Sequence, residues 1–326
     1  MKENDALYPL RFSPVLKDYL WGGTRLKEIL NKKVSTETAA ESWELSGVED
    51  SISVVQEGPL KGRSLQELID IYKEEILGVH VLKQFGEEFP VLIKFIDAEK
   101  DLSVQLHPDE QLARQRHNAH GKTEMWYVMQ ARNQAELIIG FREDTNKEAF
   151  RRSLDGGRVL DLLHKEKVQP GDAFFIPPGK VHAIGAGILL CEIQQTSNIT
   201  YRVYDYDRRD KEGKTRELHI DLAEDAIDYS CKHDFKIAYS RESNTTNALV
   251  KSPYFKVNFL NLDQTMEIDV SRRDSFHVYV CTEGEARLIW QEESYELKMG
   301  QTLLIPACIH RYRIETTGAK ILEVHL

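Results

Sequence analysis

The feature that most restricts the fold of this chain is the stretch 171–182, which reads Gly-Asp-Ala-Phe-Phe-Ile-Pro-Pro-Gly-Lys-Val-His. Its apolar centre has the composition of a buried β-strand, and Pro177 and Gly179 then predict a tight turn. His182 follows at the start of the next strand. A chain that carries such a strand–turn–strand unit among many short apolar runs is expected to be mainly β.

Polar side chains on three of the predicted strands indicate a metal site. Gln105 and His107 stand two residues apart in the strand predicted over 102–107, so both side chains project from the same face. Glu124 opens another strand, and His182 opens the strand after the turn. Three adjacent strands would aim these side chains into one space. Two imidazoles, a carboxylate and an amide oxygen suit a divalent first-row metal, and the residue types alone leave zinc and iron open.

The spacing Gly-x5-Pro-x-Gly-x2-His within 171–182 resembles the second half of the cupin signature. The first half is replaced here by Gln-x-His-Pro at 105–108 together with the distant Glu124. That replacement resembles the type I mannose-6-phosphate isomerases, in particular their short bacterial branch. The motifs carry the resemblance over about residues 12–208, and architecture alone carries it over the rest. Further matches are Trp21-Gly22-Gly23, Glu41-Ser42-Trp43-Glu44, Leu102-Ser103-Val104-Gln105, and Glu192 followed by Ile199-Thr200-Tyr201-Arg202.

This resemblance implies a fold, a reaction and a metal. The fold would be mainly β, a double cupin of two jelly-roll β-barrels, with additional helices associated with the N-terminal part. The reaction would be the interconversion of mannose 6-phosphate and fructose 6-phosphate through an enediol intermediate. The cofactor would be one zinc ion per chain, with Gln105, His107, Glu124 and His182 as its ligands.

The resemblance also assigns two catalytic residues. Arg202 stands at the position of the family's catalytic arginine, where a permanent positive charge would stabilise the enediolate oxygen. The alternative interpretation of Arg202 is an interior salt bridge to Asp205 or Asp207. Glu192 lies ten residues before Arg202, as in the longer relatives, and is the predicted proton carrier.

The identity of the base stays open at this point. The longer relatives carry a carboxylate four residues before the arginine, where this chain has Asn198. A mechanism that depends on that carboxylate therefore does not transfer to this chain. Besides Glu192, the remaining candidates are Glu44, the predicted ligand His107 and a water on the metal.

Two residues are predicted to bind the substrate and its phosphate. Lys122 matches the family's active-site lysine two residues before the glutamate ligand. Ser103 matches the family's substrate-contacting serine, two residues before Gln105 and on the same strand face. Lys180, within the turn of 171–182, is a weaker candidate because its side chain is expected to point to solvent.

The C-terminal part contains an echo of the first motif. The stretch 300–310 repeats the spacing from glycine to proline found in 171–177, but it lacks the turn glycine and one residue before His310. His277 has no Gln-x-His pair or matching glutamate beside it, and an incomplete ligand set cannot close a metal site. We therefore predict a catalytic cupin domain over 1–240 and a degenerate, structural barrel over 241–326.

Helical segments are expected only in the first of these domains. Ser64 and Glu67 form a capping box ahead of a helix predicted to reach about residue 77, and Thr145 with Glu148 forms a second box. The predicted helical segments are about 64–77, 145–164 and 218–230.

Charge and composition restrict the partners. The 43 basic and 53 acidic residues give a net charge of −10, which argues against nucleic acid or an anionic membrane as the main partner. No stretch approaches the length of an apolar membrane span, and the four cysteines are widely spaced, as expected for reduced thiols. We expect a cytoplasmic monomer or homodimer whose partner is a phosphosugar.

Two other classes of function share the same barrel and histidines. An iron-dependent cupin dioxygenase, or another cupin sugar-phosphate isomerase, would retain the metal ligands. A non-catalytic sugar-binding cupin would retain the pocket without needing Arg202 and Glu192. The presence of both residues beside a full ligand set favours the isomerase.

Overall fold

The computed structural model describes residues 7–326, and these are built mainly from short β-strands. The strands are β1 Phe12–Ser13, β2 Val15–Lys17, β3 Glu41–Leu45, β4 Val54–Val55, β5 Val91–Ala98, β6 Val104–Leu106, β7 Glu124–Ala131, β8 Glu136–Phe141, β9 Leu163–Lys167, β10 Ala173–Ile176, β11 His182–Ile184, β12 Ile188–Gln195, β13 Tyr201–Tyr204, β14 Thr246–Lys251, β15 Lys256–Leu262, β16 Met266–Asp269, β17 His277–Trp290, β18 Glu293–Lys298, β19 Thr302–Ile305 and β20 Arg311–His325. The α-helices are α1 Arg25–Glu28, α2 Leu65–Tyr72, α3 Glu74–Leu77, α4 Val79–Phe85, α5 Glu110–His117, α6 Lys147–Asp155 and α7 Ile220–Glu224.

Two large antiparallel sheets and the small two-stranded sheet β1-β4 form the N-terminal part. One has the strand order β10-β7-β12-β5-β3-β2 and the other β13-β6-β11-β8-β9. Their facing surfaces share one apolar cluster, to which Ile96 and Leu190 contribute from the first sheet and Leu137 and Ile139 from the second. Along β5, β6, β11 and β12, side chains that point between the two sheets alternate with side chains that point away. The predicted site residues occupy the inward positions and therefore lie between the sheets.

The central strands β5 and β12 are buried along their whole length. Ile93 and Ile193 belong to a second apolar cluster that also contains Leu68 of α2 and Val278 of β17. Helices and the C-terminal unit therefore cover the outer face of this sheet. Burial on both faces explains why these strands are nearly continuous runs of apolar residues.

The turn predicted in 171–182 is present between β10 and β11. Gly179 has a φ of +78°, and a Cβ atom there would lie 2.6 Å from the carbonyl oxygen of Ala226. Its backbone N–H donates to the carbonyl oxygen of His107 at 2.9 Å. Glycine is needed here both for the left-handed backbone and for the close approach of the 226–228 segment.

The C-terminal unit is one sheet of order β14-β15-β20-β17-β18, with β16 paired to β20 and β19 paired to β17. It encloses its own apolar core, which includes Leu288, Leu303 and Ile321. The echo motif forms β19, and Leu304 within it bridges to Leu10 of the N-terminal part. The mainly β fold expected from the sequence is confirmed.

The helices differ in detail from the prediction. The capping box of Ser64 and Glu67 is present, but the helical run breaks at Lys73, whose φ is +41°. The second helix begins one residue later than expected, because the side chain of Asn146, and not that of Thr145, accepts the cap bond from the N–H of Ala149. The segment predicted over 218–230 contains only the short α7, and α1, α4 and α5 were not predicted.

Within residues 7–326, every helix falls short of the length and apolar character that a membrane crossing requires. All four cysteines are unpaired. Cys191 and Cys281 are buried as expected, whereas Cys231 is half-buried and Cys308 is exposed.

Candidate functional site

A cavity of about 430 Å³ opens between the two N-terminal sheets. Its lining combines aromatic, cationic and carboxylate side chains from both sheets. Six of the eight predicted site residues line it, namely Ser103, Gln105, Lys122, His182, Glu192 and Arg202. The other two, His107 and Glu124, adjoin His182.

Three of the four predicted metal ligands meet at the edge of this cavity. Candidate ligand atoms of His107, Glu124 and His182 all lie within 4.8 Å of one another. His107 Nε2 is 3.3 Å from Glu124 Oε2, and His182 Nε2 is 3.4 Å from Glu124 Oε1. These four atoms are buried and have no hydrogen-bond partner. Because buried polar atoms are normally paired, the cluster has the character of a site that binds a cation.

Hydrogen bonds behind the rings orient both histidines. His107 Nδ1 lies 2.9 Å from the carbonyl oxygen of Ile199, and His182 Nδ1 lies 2.8 Å from that of Lys180. A carbonyl can only accept, so both Nδ1 atoms donate and both Nε2 atoms present lone pairs to the cluster. Such backing bonds are usual for metal-binding imidazoles.

The ionisation states also suit a metal. Burial, reinforced by the charge of Lys122, lowers the pKa of His107 to about 3. Burial lowers the pKa of His182 as well. Burial opposes the charge on Glu124, but Lys122 and the two histidines outweigh it and hold the pKa of this carboxyl well below its usual value. Neutral imidazoles beside an ionised carboxylate are the forms that bind a divalent metal.

The ligands come from two facing sheets, which corrects the expectation of three adjacent strands. Gln105 on β6 pairs with His182 on β11 in the five-stranded sheet. Glu124 opens β7 in the six-stranded sheet, opposite Ile176. Gln105 is half-buried, and its Oε1 accepts a hydrogen bond from Ser103 Oγ at 3.3 Å. It lies opposite His182 on the neighbouring strand.

Glu192 belongs to a row of paired side chains across the six-stranded sheet. It stands opposite Lys94 on β5 and opposite Trp126 on β7. Its carboxylate lies 2.9 Å from Lys94 Nζ and accepts the indole N–H of Trp126 at 2.9 Å. Burial disfavours the charge of Lys94, but Glu192 and Glu41 outweigh it and hold the pKa of this ammonium above its usual value.

Arg202 projects into the cavity from β13, directly opposite Gln105. Its Nε donates to Ser103 Oγ at 3.2 Å and its Nη1 to the carbonyl oxygen of Glu217 at 2.9 Å. Across the described part of the chain, no carboxylate lies within 4.0 Å of its guanidinium nitrogens. The alternative of a salt bridge to Asp205 or Asp207 is therefore wrong.

Two weaker candidates lie elsewhere. Lys180 is buried, not exposed, and its Nζ lies 2.7 Å from a carboxylate oxygen of Asp228. Glu44 forms a buried ion pair with Lys32 at 2.6 Å and does not line the cavity. Neither residue is positioned to act on a molecule in the cavity.

Sequence reasoning missed several residues that line the cavity. Lys94 had a signal, since it is a lone cation within the apolar run of β5. Arg216 and His219 follow β13 in a polar segment that carried no motif, and only the fold brings them to the cavity. Tyr19 and Trp126 were also missed, whereas Trp21, Glu41 and Thr200 stood in the matching motifs without an assigned role.

The degenerate second unit has no comparable cluster. Within residues 7–326 the His/Glu/His group described above is the only metal-type cluster found. His310 is exposed, and His277 is buried with its Nδ1 3.1 Å from Glu323 Oε1. Glu323 also contacts Arg273 and Asn258, so His277 belongs to a structural polar network.

Comparison with known proteins places this geometry in a family. Residues 10–152 match the phosphomannose isomerase type I catalytic domain, and residues 244–326 match the mannose-6-phosphate isomerase cupin domain. The chain is 37% identical over 311 residues to mannose-6-phosphate isomerase ManA of Bacillus subtilis, covering 94% of this chain and 96% of that protein. It is 34% identical to the mannose-6-phosphate isomerase of Streptococcus mutans, covering 94% and 95%.

The solved structures agree. The mannose 6-phosphate isomerase from Bacillus subtilis superposes with a TM-score of 0.88 at 32% identity, covering 98% of this chain and 99% of that one. The putative mannosephosphate isomerase from Archaeoglobus fulgidus shares the fold, with a TM-score of 0.80 at 22% identity, covering 98% and 99%. On the strength of these full-length matches, the chain belongs to the type I mannose-6-phosphate isomerase family.

Proposed function

We propose that this protein is a zinc-dependent aldose–ketose isomerase that interconverts mannose 6-phosphate and fructose 6-phosphate through an enediol intermediate. The observation that carries the proposal is the content of one cavity. A His/Glu/His cluster suited to a metal adjoins this cavity, which also contains the carboxylate of Glu192 and the guanidinium of Arg202. Among the described residues, no carboxylate lies within 4.0 Å of that guanidinium. Family membership identifies the reaction for which such a set is suited.

The proposed metal site consists of His107, Glu124, His182 and Gln105. His107, Glu124 and His182 fit a divalent metal because their ligand atoms are buried and have no hydrogen-bond partner among the described residues. Their imidazoles are neutral and the carboxyl group is ionised, as metal binding requires. When bound, zinc would supply Lewis acidity toward the oxygens on the two reacting carbons. The neutral amide of Gln105 supports zinc over iron, because a fourth protein ligand fills a position that an oxygenase needs for O2.

The proton transfer is assigned to Glu192. In the open-chain aldose, a base removes the proton from C2, the C–H electron pair forms the C1=C2 double bond, and the carbonyl pair moves onto O1. Transfer of the O2 hydroxyl proton to O1 and return of a proton to C1 then give the ketose. Lys94 and Trp126 support this role, since they hold the Glu192 carboxylate in one position without closing the cavity in front of it.

Arg202 is proposed to stabilise the oxygen that becomes negative in the enediolate. A preorganised charge aimed at developing charge is usually the largest single contribution to catalysis. The bonds from Arg202 to Ser103 and to the Glu217 carbonyl fix the guanidinium plane, and no ion pair competes for it.

Lys122 and Ser103 are proposed to bind the substrate. Both line the cavity, and Lys122 is buried with its Nζ 3.4 Å from Glu124 Oε2. This contact puts Lys122 at the metal end of the cavity.

The remaining assignments complete the proposal. We propose one zinc per chain, a catalytic unit over 1–240, a structural unit over 241–326, a cytoplasmic location, and a monomer or homodimer. The presence of one cluster and one degenerate repeat supports the metal stoichiometry.

The test is an assay of purified protein with mannose 6-phosphate, in which fructose 6-phosphate is measured before and after chelation and after zinc is restored. Metal content is determined on the same sample. Formation of fructose 6-phosphate that stops on chelation and returns with zinc supports the proposal. Mainly iron with O2-dependent turnover would assign a cupin dioxygenase, and binding without turnover would assign a sugar-binding cupin.

A further inference from the structure

β13 and the segment that follows it bring two guanidiniums to the cavity, those of Arg202 and Arg216. Arg216 shares the buried carboxylate of Asp205 with Arg208, and among the described residues no carboxylate lies within 4.0 Å of the Arg202 guanidinium. By contrast, Lys94 is matched by Glu192 and Lys122 by Glu124. The cationic excess of the cavity therefore comes from β13 and the segment that follows it.

Arg216 is held in a defined orientation there. Its Nε donates to Asp205 Oδ2 at 2.8 Å and its Nη2 to Asp205 Oδ1 at 2.5 Å. This two-point contact uses one edge of the guanidinium and leaves Nη1 without a described partner. Arg216 lines the cavity, so its free edge is available to an anion, and a planar fork of this kind matches a phosphate.

The backbone that carries Arg216 is ordered by its own contacts. Residues 209 and 215 form a β-bridge, and Asp210 Oδ1 accepts the N–H groups of Glu212 and Lys214 at 2.9 Å each. Arg208 anchors the other side of this small hairpin through Asp205 and through the carbonyl oxygen of Asp101. Arg208 does not line the cavity.

His219 provides a second donor that lines the cavity. Its Nδ1 accepts the backbone N–H of Arg202 at 3.2 Å, so the neutral ring carries its proton on Nε2. Burial, with a further contribution from Arg202, lowers the pKa of this histidine. Nε2 is 3.9 Å from Glu217, too far for a hydrogen bond.

The distance between the metal cluster and the 216–219 segment suits a substrate that reacts at one end and carries its phosphate at the other. Across the five-stranded sheet, His182, Gln105 and Arg202 occupy neighbouring strands, and the backbone of His219 bonds to Arg202 on the far side. Two strand spacings separate the backbones of His182 and Arg202 by about 10 Å. The groups of the 216–219 segment lie beyond that.

We propose that Arg216, together with His219, binds the phosphate of the substrate. The proposal rests on the proposed function and refines it. The sequence resemblance assigned the phosphate to Lys122 and Ser103, whereas the charge balance leaves Lys122 for the reacting end of the sugar.

The test compares Arg216→Gln with the matched control Arg208→Gln, which removes a guanidinium from the same carboxylate outside the cavity. The binding constant of inorganic phosphate, measured by titration calorimetry, and the KM and kcat for mannose 6-phosphate are determined for each. Loss of a charge-assisted contact should weaken phosphate binding and raise KM about 10- to 100-fold in Arg216→Gln, with a smaller change in kcat. Arg208→Gln should stay within about twofold of the parent protein.

Unchanged phosphate binding and KM in Arg216→Gln would overturn the proposal, as would an equal effect in Arg208→Gln, which would indicate a general collapse of the loop. Weakened phosphate binding in Lys122→Gln but not in Arg216→Gln would return the phosphate to Lys122. If Arg216→Gln does not fold, Arg216→Lys retains the charge without the fork, and its phosphate affinity should still fall measurably. A parent protein that binds phosphate through Arg216 but does not isomerise the sugar would refute the proposed function and retain this inference.

Discussion

Two of the buried lysine–glutamate pairs of the N-terminal part allow a stability effect to be separated from a catalytic one. Lys94 and Glu192 lie 2.9 Å apart with side chains 6% and 5% exposed, and they line the cavity. Lys32 and Glu44 lie 2.6 Å apart with side chains 8% and 4% exposed, and they lie outside it. The two pairs are thus comparable in burial and separation but differ in location.

Replacing Lys94 with Met should lower the free energy of unfolding, because the buried carboxylates of Glu192 and Glu41 lose their shared cation. Removing one partner of a buried ion pair typically lowers the free energy of unfolding by about 3–5 kcal/mol. Relief comes from protonation of Glu192, and a protonated carboxyl cannot accept the C2 proton. We therefore expect Lys94→Met to lose most of its kcat near neutral pH and to recover part of it as the pH is raised.

Lys32→Met should lose a similar free energy of unfolding, because Glu44 is left equally unpaired, yet should retain kcat and KM. The double variant Lys94→Met with Glu192→Gln should regain part of the lost stability, since only Glu41 is then left without its cation, while staying inactive. Urea denaturation and steady-state kinetics over a range of pH measure both quantities. The reasoning is refuted if Lys94→Met is as stable as the parent, or if Lys32→Met loses as much kcat as Lys94→Met.

Three further outcomes are expected. His182→Ala should lose the bound metal, one equivalent of zinc in the parent by elemental analysis, together with most activity; retention of both would reject the metal site. Arg202→Lys should lose about 100- to 1,000-fold in kcat with folding and metal content retained, because an ammonium cannot reproduce a planar donor fork, and full activity in that variant would remove Arg202 from the mechanism. Since the pKa of His107 is about 3 in the folded chain and about 6.5 in an unfolded one, the unfolded state binds protons first on acidification. The chelated protein should therefore lose unfolding free energy as the pH falls from about 6.5 towards 3, and an unaltered slope in His107→Gln would contradict this.

Local patterns in the sequence predicted much of the metal end of the site. Gln105 and His107 share a face because side chains alternate along a strand, and Pro177 with Gly179 encodes a turn that depends only on nearby backbone. The capping box at Ser64 was likewise predicted from residues three apart. Such features need no knowledge of which strands pair.

The partners across the cavity could not be predicted in this way. Glu124 reaches the histidines from the opposite sheet, Glu192 meets Lys94 through strand register, and Arg202 contacts Ser103 over a separation of 99 residues. The alternative interpretation of Arg202, a salt bridge to Asp205 or Asp207, was based on sequence proximity alone. In the folded chain, Asp205 instead binds Arg208 and Arg216, which approach it from the two sides of the hairpin.

The sequence by itself therefore determined the mainly β architecture, the turn that presents His182, and the types of residue that can hold a divalent metal. The alternation of side chains along a strand and the residue preferences of turns involve only a few neighbouring residues, so they can be recognised from the sequence alone. Only the tertiary structure decided which charges are matched and which are left over at each end of the cavity. That outcome depends on strand register and burial. Because Arg208 and Arg216 share the carboxylate of Asp205, part of the cationic charge is left free to bind another anion.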